Sequence, residues 1–467
     1  MHLNFDRGTL VLHDVPSSFS PASLPEVRWD ARTGSWRARA CAWSAVRDEL
    51  GRRGVPFQDR VATRHAPTGP WCAPALRPYQ EEALAAWDMA GQRGIVVLPT
   101  GAGKTKLAVA ALAETRAPAL CLVPTRVLLH QWVATLREAG LERVGVLGDG
   151  ERQLAPVTVA TYESAWRQIE HIGARFSLLI VDEVHHFAGG ARIEIFEACT
   201  APRRLGLTAT PVLDDEQLER LVGRAVFVLG IRQLQGTFLA DFDVVPIVVE
   251  LTANERQRYR ELMAPFLELA REARRSMPGA RFEELARAAS ASREGRLALE
   301  GLHQARALCA LPEEKRAALR RLLQRTRDRR TLIFTGNNAT AYAVAREHLV
   351  MPITCDIGRK ERDTALAAFR AGRLRCLVSA QVLNEGLDVP DADVAVVLGG
   401  QRGAREHVQR VGRVLRPAPD KRAVVYELIA RGTMEEGHAA KRARALAGGA
   451  VSSHDGAMLD AQPAERA

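Results

Sequence analysis

Leu98-Pro-Thr-Gly-Ala-Gly-Lys-Thr105 follows the apolar run Gly94-Ile-Val-Val97 and opens a stretch of helix formers beginning at Lys104. A strand, a glycine-containing turn and a Lys-Thr pair at a helix start turn backbone N–H groups onto phosphates. In such a loop Lys104 contacts the β- and γ-phosphates and the Thr105 hydroxyl ligates Mg²⁺. The strict G-x-x-x-x-G-K-[ST] pattern has glycine where this chain has Leu98. Leu98, Pro99, Thr100, Gly101, Ala102, Gly103, Lys104 and Thr105 are together read as a phosphate cradle.

Outward from this loop, short apolar runs at Gly94–Leu98, Ala119–Val123, Val157–Thr161, Leu178–Asp182 and Arg204–Thr208 alternate with helical stretches from Lys104 and near Val127. That alternation predicts an α/β fold with a parallel sheet covered on both faces. It resumes from Arg330, with strands expected at Thr331–Phe334, Ile353–Cys355, Cys376–Ser379, Val394–Leu398 and Ala423–Leu428, as a second lobe of similar size. Between the lobes, Asn254–Ala273 and Phe282–Arg327 are charged helix formers without β-runs, a helical insert. Ahead of them, Val27–Ala40 reads as a hairpin around Arg32-Thr-Gly-Ser35, followed by a helix at about 42–51, which makes a small α+β module. The expected domains are 1–70, 71–240, 253–325 and 326–447, with 448–467 a disordered tail.

The 467 residues suit two or three domains, and 47% hydrophobic residues suit an ordinary globular core. Lys and Arg exceed Asp and Glu by 65 to 55. This surplus suits a polyanionic partner, or reflects an arginine-rich composition, and both readings stand. Met1-His-Leu-Asn-Phe-Asp6 is not a secretory leader, and no apolar run reaches the roughly 18 residues of a membrane span, so a cytoplasmic protein without membrane contact is expected. The seven cysteines are scattered without a C-x-x-C pair and read as reduced thiols.

Two further motifs carry chemistry. Asp182-Glu-Val-His185 ends the run Leu178-Leu-Ile-Val181, at the strand end where α/β sheets bind ligands. Asp182 would hold Mg²⁺ and Glu183 would polarise an attacking water. Gln409-Arg-Val-Gly-Arg413-Val-Leu-Arg416 places Arg413 and Arg416 on one helical face. They either reach a γ-phosphate as arginine fingers or form a solvated face.

Taken together and in this order, the motifs resemble superfamily 2 helicases, and more closely the XPB branch in its archaeal and bacterial form, over about 27–444. The resemblance implies two RecA-like lobes, ATP and Mg²⁺ as cofactors, and a DNA-dependent ATPase moving 3′ to 5′ that opens duplexes, often in repair. Arg77-Pro-Tyr-Gln80 matches the segment before the phosphate loop, whose Gln80 would recognise adenine. Pro124-Thr125-Arg126 and Thr161-Tyr162-Glu-Ser match motifs that touch the nucleic-acid backbone, and Thr208-Ala-Thr210 the motif coupling hydrolysis to movement. Ile333-Phe-Thr-Gly336 resembles the motif that opens the second lobe. Gly386 and Asp388 in Gln381-Val-Leu-Asn-Glu-Gly-Leu-Asp-Val-Pro390 would approach the nucleotide, and the Arg413/Arg416 segment is the sixth motif. His185 is assigned to sensing nucleotide and relaying to Thr208–Thr210 rather than to zinc. Residues 1–70 resemble the module linked to distorted DNA, and 253–325 the helical thumb.

One departure bears on function. Leu213-Asp-Asp215 stands where the family usually carries Arg-Glu-Asp, a triplet tied to unwinding. A helicase that separates strands and a motor that translocates on duplex or remodels protein–DNA complexes, such as a phage-defence component, are therefore both open. A third reading, a non-catalytic DNA-binding scaffold, sits poorly with intact Lys104, Asp182, Glu183, Arg413 and Arg416. DNA is the expected partner, with a nuclease or repair protein as a candidate second one. The cluster Arg28, Trp29, Arg32, Trp36, Arg37, Arg39 and Trp43 either stacks on bases or builds the module's core. Likewise 315–330 either tracks phosphates or is a solvated helix.

Overall fold

The computed structural model describes residues 1–61, 72–190, 192–209, 215–234, 241–276, 282–380, 392–399 and 422–446. The chain divides into two compact units, Met1–Leu98 with Gly103–Val228, and Pro99–Ala102 with the residues from Leu229 onward.

The first unit holds two sheets. Strands β1 (His2–Asp6), β2 (Thr9–His13), β3 (Arg28–Asp30), β4 (Ser35–Arg39) and β5 (Gln58–Arg60), with helix α1 (Trp43–Arg52), form a five-stranded module in the order β3-β4-β2-β1-β5. The predicted hairpin is β3–β4, in which Trp29 stands opposite Trp36. The tryptophans divide between the two readings: Trp43 is buried in the module's core, whereas Trp29 is 54% exposed. This core takes in Ala174 from the following lobe, and Cys41 of the module packs against that lobe's core. Close approach requires Gly8, at φ +80°, because a Cβ there would lie 2.8 Å from the Ala198 Cβ. Around it Arg39 and Arg220 both pair with Glu26 and Glu197.

The lobe continues with α2 (Pro78–Met89), β6 (Arg93–Val97), α3 (Lys104–Thr115), β7 (Ala119–Val123), α4 (Arg126–Glu138), β8 (Val144–Gly148), β9 (Glu151–Gln153), β10 (Val157–Thr161), α5 (Tyr162–Ile172), β11 (Leu178–Asp182), α6 (Glu194–Glu197), β12 (Arg203–Thr208), α7 (Glu216–Leu221) and β13 (Ala225–Val228). Its sheet runs β13-β6-β12-β11-β7-β10-β8-β9, parallel except for the β8–β9 hairpin. The five predicted strands are its interior, each buried on both faces. At the start of β12 the buried Arg204 guanidinium donates to the carbonyls of Ala201, Leu221, Phe196 and Cys199 at 2.7–3.1 Å.

In the second unit follow β14 (Asp241–Val249), α8 (Ala253–Ser276), α9 (Phe282–Ser290), α10 (Arg293–Ala310), α11 (Glu313–Arg325), β15 (Thr331–Thr335), α12 (Asn338–His348), β16 (Met351–Ile353), α13 (Arg359–Arg370), β17 (Cys376–Ser379), β18 (Val394–Leu398), β19 (Arg422–Ala430) and α14 (Met434–Leu446). The all-parallel sheet runs β14-β19-β18-β15-β17-β16. Helices α8 and α10 pack through Tyr259, Met263, Phe266, Leu302 and Ala305, while α11 sends Ala318, Leu319 and Leu322 into the sheet's core. The α/β class with two parallel-sheet lobes, a helical insert and an α+β module thus holds. Among the described residues no helix is long and apolar enough to cross a membrane.

Candidate nucleotide and nucleic-acid site

Strand register brings the chemistry of the first lobe to one sheet edge. Thr208 pairs with Val97 and Leu207 with Asp182, and the Leu98 amide extends the ladder by donating to the Thr208 carbonyl at 2.9 Å. The phosphate loop, the acidic turn and Thr208 therefore leave the sheet side by side at its carboxyl edge, where α/β sheets bind ligands.

Beyond Leu98 the chain passes Gly101 and Gly103, at φ 86° and 79°, and enters α3 at Lys104. Gly103 is required by its left-handed backbone and by the Gln80 amide, into which a Cβ would collide. Gln80 is buried; its Oε1 accepts from the Arg77 amide at 2.9 Å and its Nε2 donates to the Gly103 carbonyl at 3.2 Å. The residue read for adenine thus braces the start of α2 against the loop. Lys104 Nζ donates to the Leu98 carbonyl at 3.3 Å and lies 3.6 Å from Glu183 Oε1, and Thr105 is half-buried in the first turn of α3.

Asp182 is buried at the end of β11. Its Oδ2 accepts from the Trp132 indole at 3.1 Å and its Oδ1 from the Glu183 amide at 3.1 Å. Burial and the neighbouring Glu183 carboxylate push its pKa up to about 6, against the pull of Lys104 and the Trp132 hydrogen bond. Glu183 has φ +52°, a left-handed conformation that costs a non-glycine residue about 1–2 kcal/mol. The Tyr162 hydroxyl donates to the carbonyls on either side of that strain, Asp182 and Glu183, the second at 3.2 Å. His185 Nδ1 lies 3.1 Å from Thr208 Oγ1 and 3.4 Å from Glu183 Oε2.

Among the described residues, Glu183 Oε2 and Thr100 Oγ1 are buried without a hydrogen-bond partner. A buried carboxylate oxygen keeps acceptor capacity for a water, and a buried loop hydroxyl keeps a donor for phosphate. Mg²⁺ is typically bound through one or two protein oxygens plus substrate phosphates, so Asp182 and Thr105 beside a phosphate loop are a fitting donor set.

On the nucleic-acid side, Thr125 and Thr161 cap α4 and α5, each Oγ1 accepting a backbone N–H at 3.3 Å, from Leu128 and Ser164. Arg126 and Thr161 line one groove of about 540 Å³ together with Pro124, Gly148, Ser164 and Arg167. Asp149, in the turn between β8 and β9, pairs with Arg126 at 3.3 Å. Tyr162, read from the sequence as a nucleic-acid contact, is placed differently. It begins the buried face of α5 that continues through Ala165, Ile169 and Ile172, and its hydroxyl is committed to the acidic turn. Gly386, Asp388, Arg413 and Arg416 lie outside the described residues, as do Thr210 and Leu213. Trp132 was not foreseen. It sits on the buried stripe Leu129, Trp132, Val133 and Leu136 of α4. A tryptophan on a core stripe needs a partner for its N–H, and that was the available signal.

Three family profiles match the chain: Xeroderma pigmentosum group B helicase damage recognition domain over residues 3–61, type III restriction enzyme, res subunit, over 73–213, and helicase conserved C-terminal domain over 314–418. The chain is 33% identical over 422 residues to the DNA 3'-5' translocase XPB2 of Sulfurisphaera tokodaii, covering 89% of this chain and 95% of that protein. It is 31% identical to the DNA 3'-5' helicase XPB of Kineococcus radiotolerans and 29% identical to that of Mycobacterium tuberculosis, covering 80% of this chain in both cases. It spans 63% and 64% of those two longer relatives.

Proposed function

The chain belongs to the XPB branch of the superfamily 2 helicases, and we propose that it is an ATP-dependent DNA motor that moves 3′ to 5′. The observation that carries this reading is the convergence of Lys104, Asp182, Glu183 and His185 on adjacent strand ends of one sheet. Lys104 and the loop amides orient the β- and γ-phosphates. Thr105 and Asp182 would hold Mg²⁺, which when bound shields the charge that develops on the phosphoryl oxygens. Glu183 orients the attacking water through Oε2, which makes no hydrogen bond although His185 Nδ1 lies 3.4 Å away. By the family resemblance Gly386 and Asp388 would approach the nucleotide and Arg413 and Arg416 would add charge stabilisation, all four lying outside the described residues. The match of the N-terminal module to a damage recognition domain favours work in DNA repair.

The test is DNA-stimulated ATP hydrolysis. Lys104→Ala and Glu183→Gln should both abolish it, with nucleotide binding kept only by Glu183→Gln. Hydrolysis that persists in Lys104→Ala would overturn the assignment.

A second reading, translocation without strand separation, rests on Leu213-Asp-Asp215. Leu213 stands in place of the family's arginine. Asp215 is committed to structure: it caps α7 through the Leu218 amide and accepts from the Gly189 amide, both at 2.9 Å. A forked duplex left intact at saturating ATP, despite brisk hydrolysis, would favour this reading, and Leu213→Arg should then raise unwinding.

A further inference from the structure

Helices α4 and α5 begin at the groove and each sends one buried aromatic to the acidic turn. In α4, Arg126 lines the groove, and Trp132, about 9 Å further along the axis at 1.5 Å per residue, donates to Asp182 Oδ2 at 3.1 Å. In α5, Thr161 lines the groove as the cap, and the next residue, Tyr162, donates to the carbonyls of Asp182 and Glu183. Both rings are buried, Trp132 at 1% and Tyr162 at 6% exposure.

A phenylalanine would fill the Tyr162 space and most of the Trp132 space, yet both side chains carry a polar atom, and both polar atoms are spent on the same two residues. A non-glycine residue at positive φ persists only where its surroundings over-determine it. For Glu183 those surroundings include the Tyr162 hydroxyl on the flanking carbonyls and, through Asp182, the Trp132 indole. The packed helices between groove and turn are stiff, so a displacement at their capped starts is carried to the aromatics rather than dissipated.

We propose that Trp132 and Tyr162 are positioning residues that transmit engagement of a nucleic-acid backbone at the starts of α4 and α5 to the Asp182–Glu183 turn. The first lobe alone then sets part of the DNA stimulation of hydrolysis. This rests on reading the Arg126 groove as a nucleic-acid face.

The experiment uses the full chain with Trp132→Phe, Tyr162→Phe and Arg126→Ala. Steady-state ATPase is titrated with a forked DNA duplex, which gives the ratio of stimulated to basal kcat and the KM for ATP. The Kd for the same fork is measured by anisotropy. Each phenylalanine variant should lower the stimulation ratio roughly five- to tenfold, the scale of coupling carried by intermediate residues, while the Kd for DNA moves less than about twofold. Arg126→Ala should instead weaken DNA binding. An unchanged stimulation ratio, or equal losses of basal and stimulated rate, overturns the coupling role. Unchanged DNA affinity in Arg126→Ala overturns the groove reading, and the proposal with it. Should Trp132→Phe fail to fold, Tyr162→Phe, which loses a single oxygen, carries the test.

Discussion

Replacing Lys315 with methionine should destabilise the second unit by about 3–5 kcal/mol, the usual loss when one partner of a buried ion pair is removed. The Lys315 side chain is fully buried and donates to both carboxylate oxygens of Glu435, at 2.8 and 2.6 Å, and to the Cys309 carbonyl at 2.8 Å. Without it the Glu435 carboxylate keeps the Ala430 amide, at 2.9 Å, and the Cys309 carbonyl loses this donor. Methionine fills most of the volume, so the loss reports the stranded charge rather than a cavity. Replacing both partners with apolar residues of similar size is often neutral, so Lys315→Met with Glu435→Leu should recover about 2–4 kcal/mol of the single loss. The chain's tryptophans, at 29, 36, 43, 71, 87, 132 and 166, all belong to the first unit, so their fluorescence during urea unfolding is an internal control that should not move. A chain of two units need not unfold in one step, so the assay is hydrogen exchange in peptides from α10, α11 and α14. A loss below about 1 kcal/mol there, or a double variant worse than the sum of its singles, would refute the stranded-charge account.

Three further outcomes follow from packing and burial. Arg204→Met takes a donor from the carbonyls of Ala201, Phe196 and Cys199, while Leu221 keeps Arg93, and should cost about 3 kcal/mol, seen as an earlier fluorescence midpoint; an unchanged midpoint would mean other donors take over. Gly8→Ala combines left-handed backbone with a clash on Ala198 and should cost about 1–3 kcal/mol, with faster exchange in β1 and β2; unaltered exchange would show that the module is not seated through Gly8. His438 is held down to about 4 by burial, with Arg442, Arg306 and Lys441 adding repulsion. A depressed histidine binds protons more readily when unfolded, so its contribution is complete above about pH 6.5 and is lost as pH falls towards 4. Allowing for its partial exposure, acid should cost the second unit about 1–2 kcal/mol, and His438→Gln should flatten that slope.

What the sequence made legible follows burial. β7, β10, β11, β17 and β18 lie inside their sheets, and these short runs, rich in apolar and β-branched residues, could be placed to the residue. β8, a Val-Gly-Val-Leu-Gly run, and β14, interrupted by Pro246, lie near or at sheet edges and owe their pairing to neighbours. At the far edge of the same sheet, β16 forms at Met351–Ile353, two residues ahead of the expected Ile353–Cys355. The placement of Lys104 and Asp182 at strand ends is a local property of their motifs. The ties of Trp132 and Tyr162 join segments 50 and 20 residues apart along the chain and are set by packing alone.

The interlocked cores of the N-terminal module and the first lobe also bear on how the chain is made. Ala174, part of the module's own core, is synthesised more than a hundred residues after Val61 of that core. At about 5–20 residues per second, that gap leaves the module unfinished for about 6–20 s of translation. Its mate at the seam, Ala198 beneath Gly8, comes later still. The module's strands are thus made well before the residues that seal them, and until then its apolar residues are a natural client for chaperones.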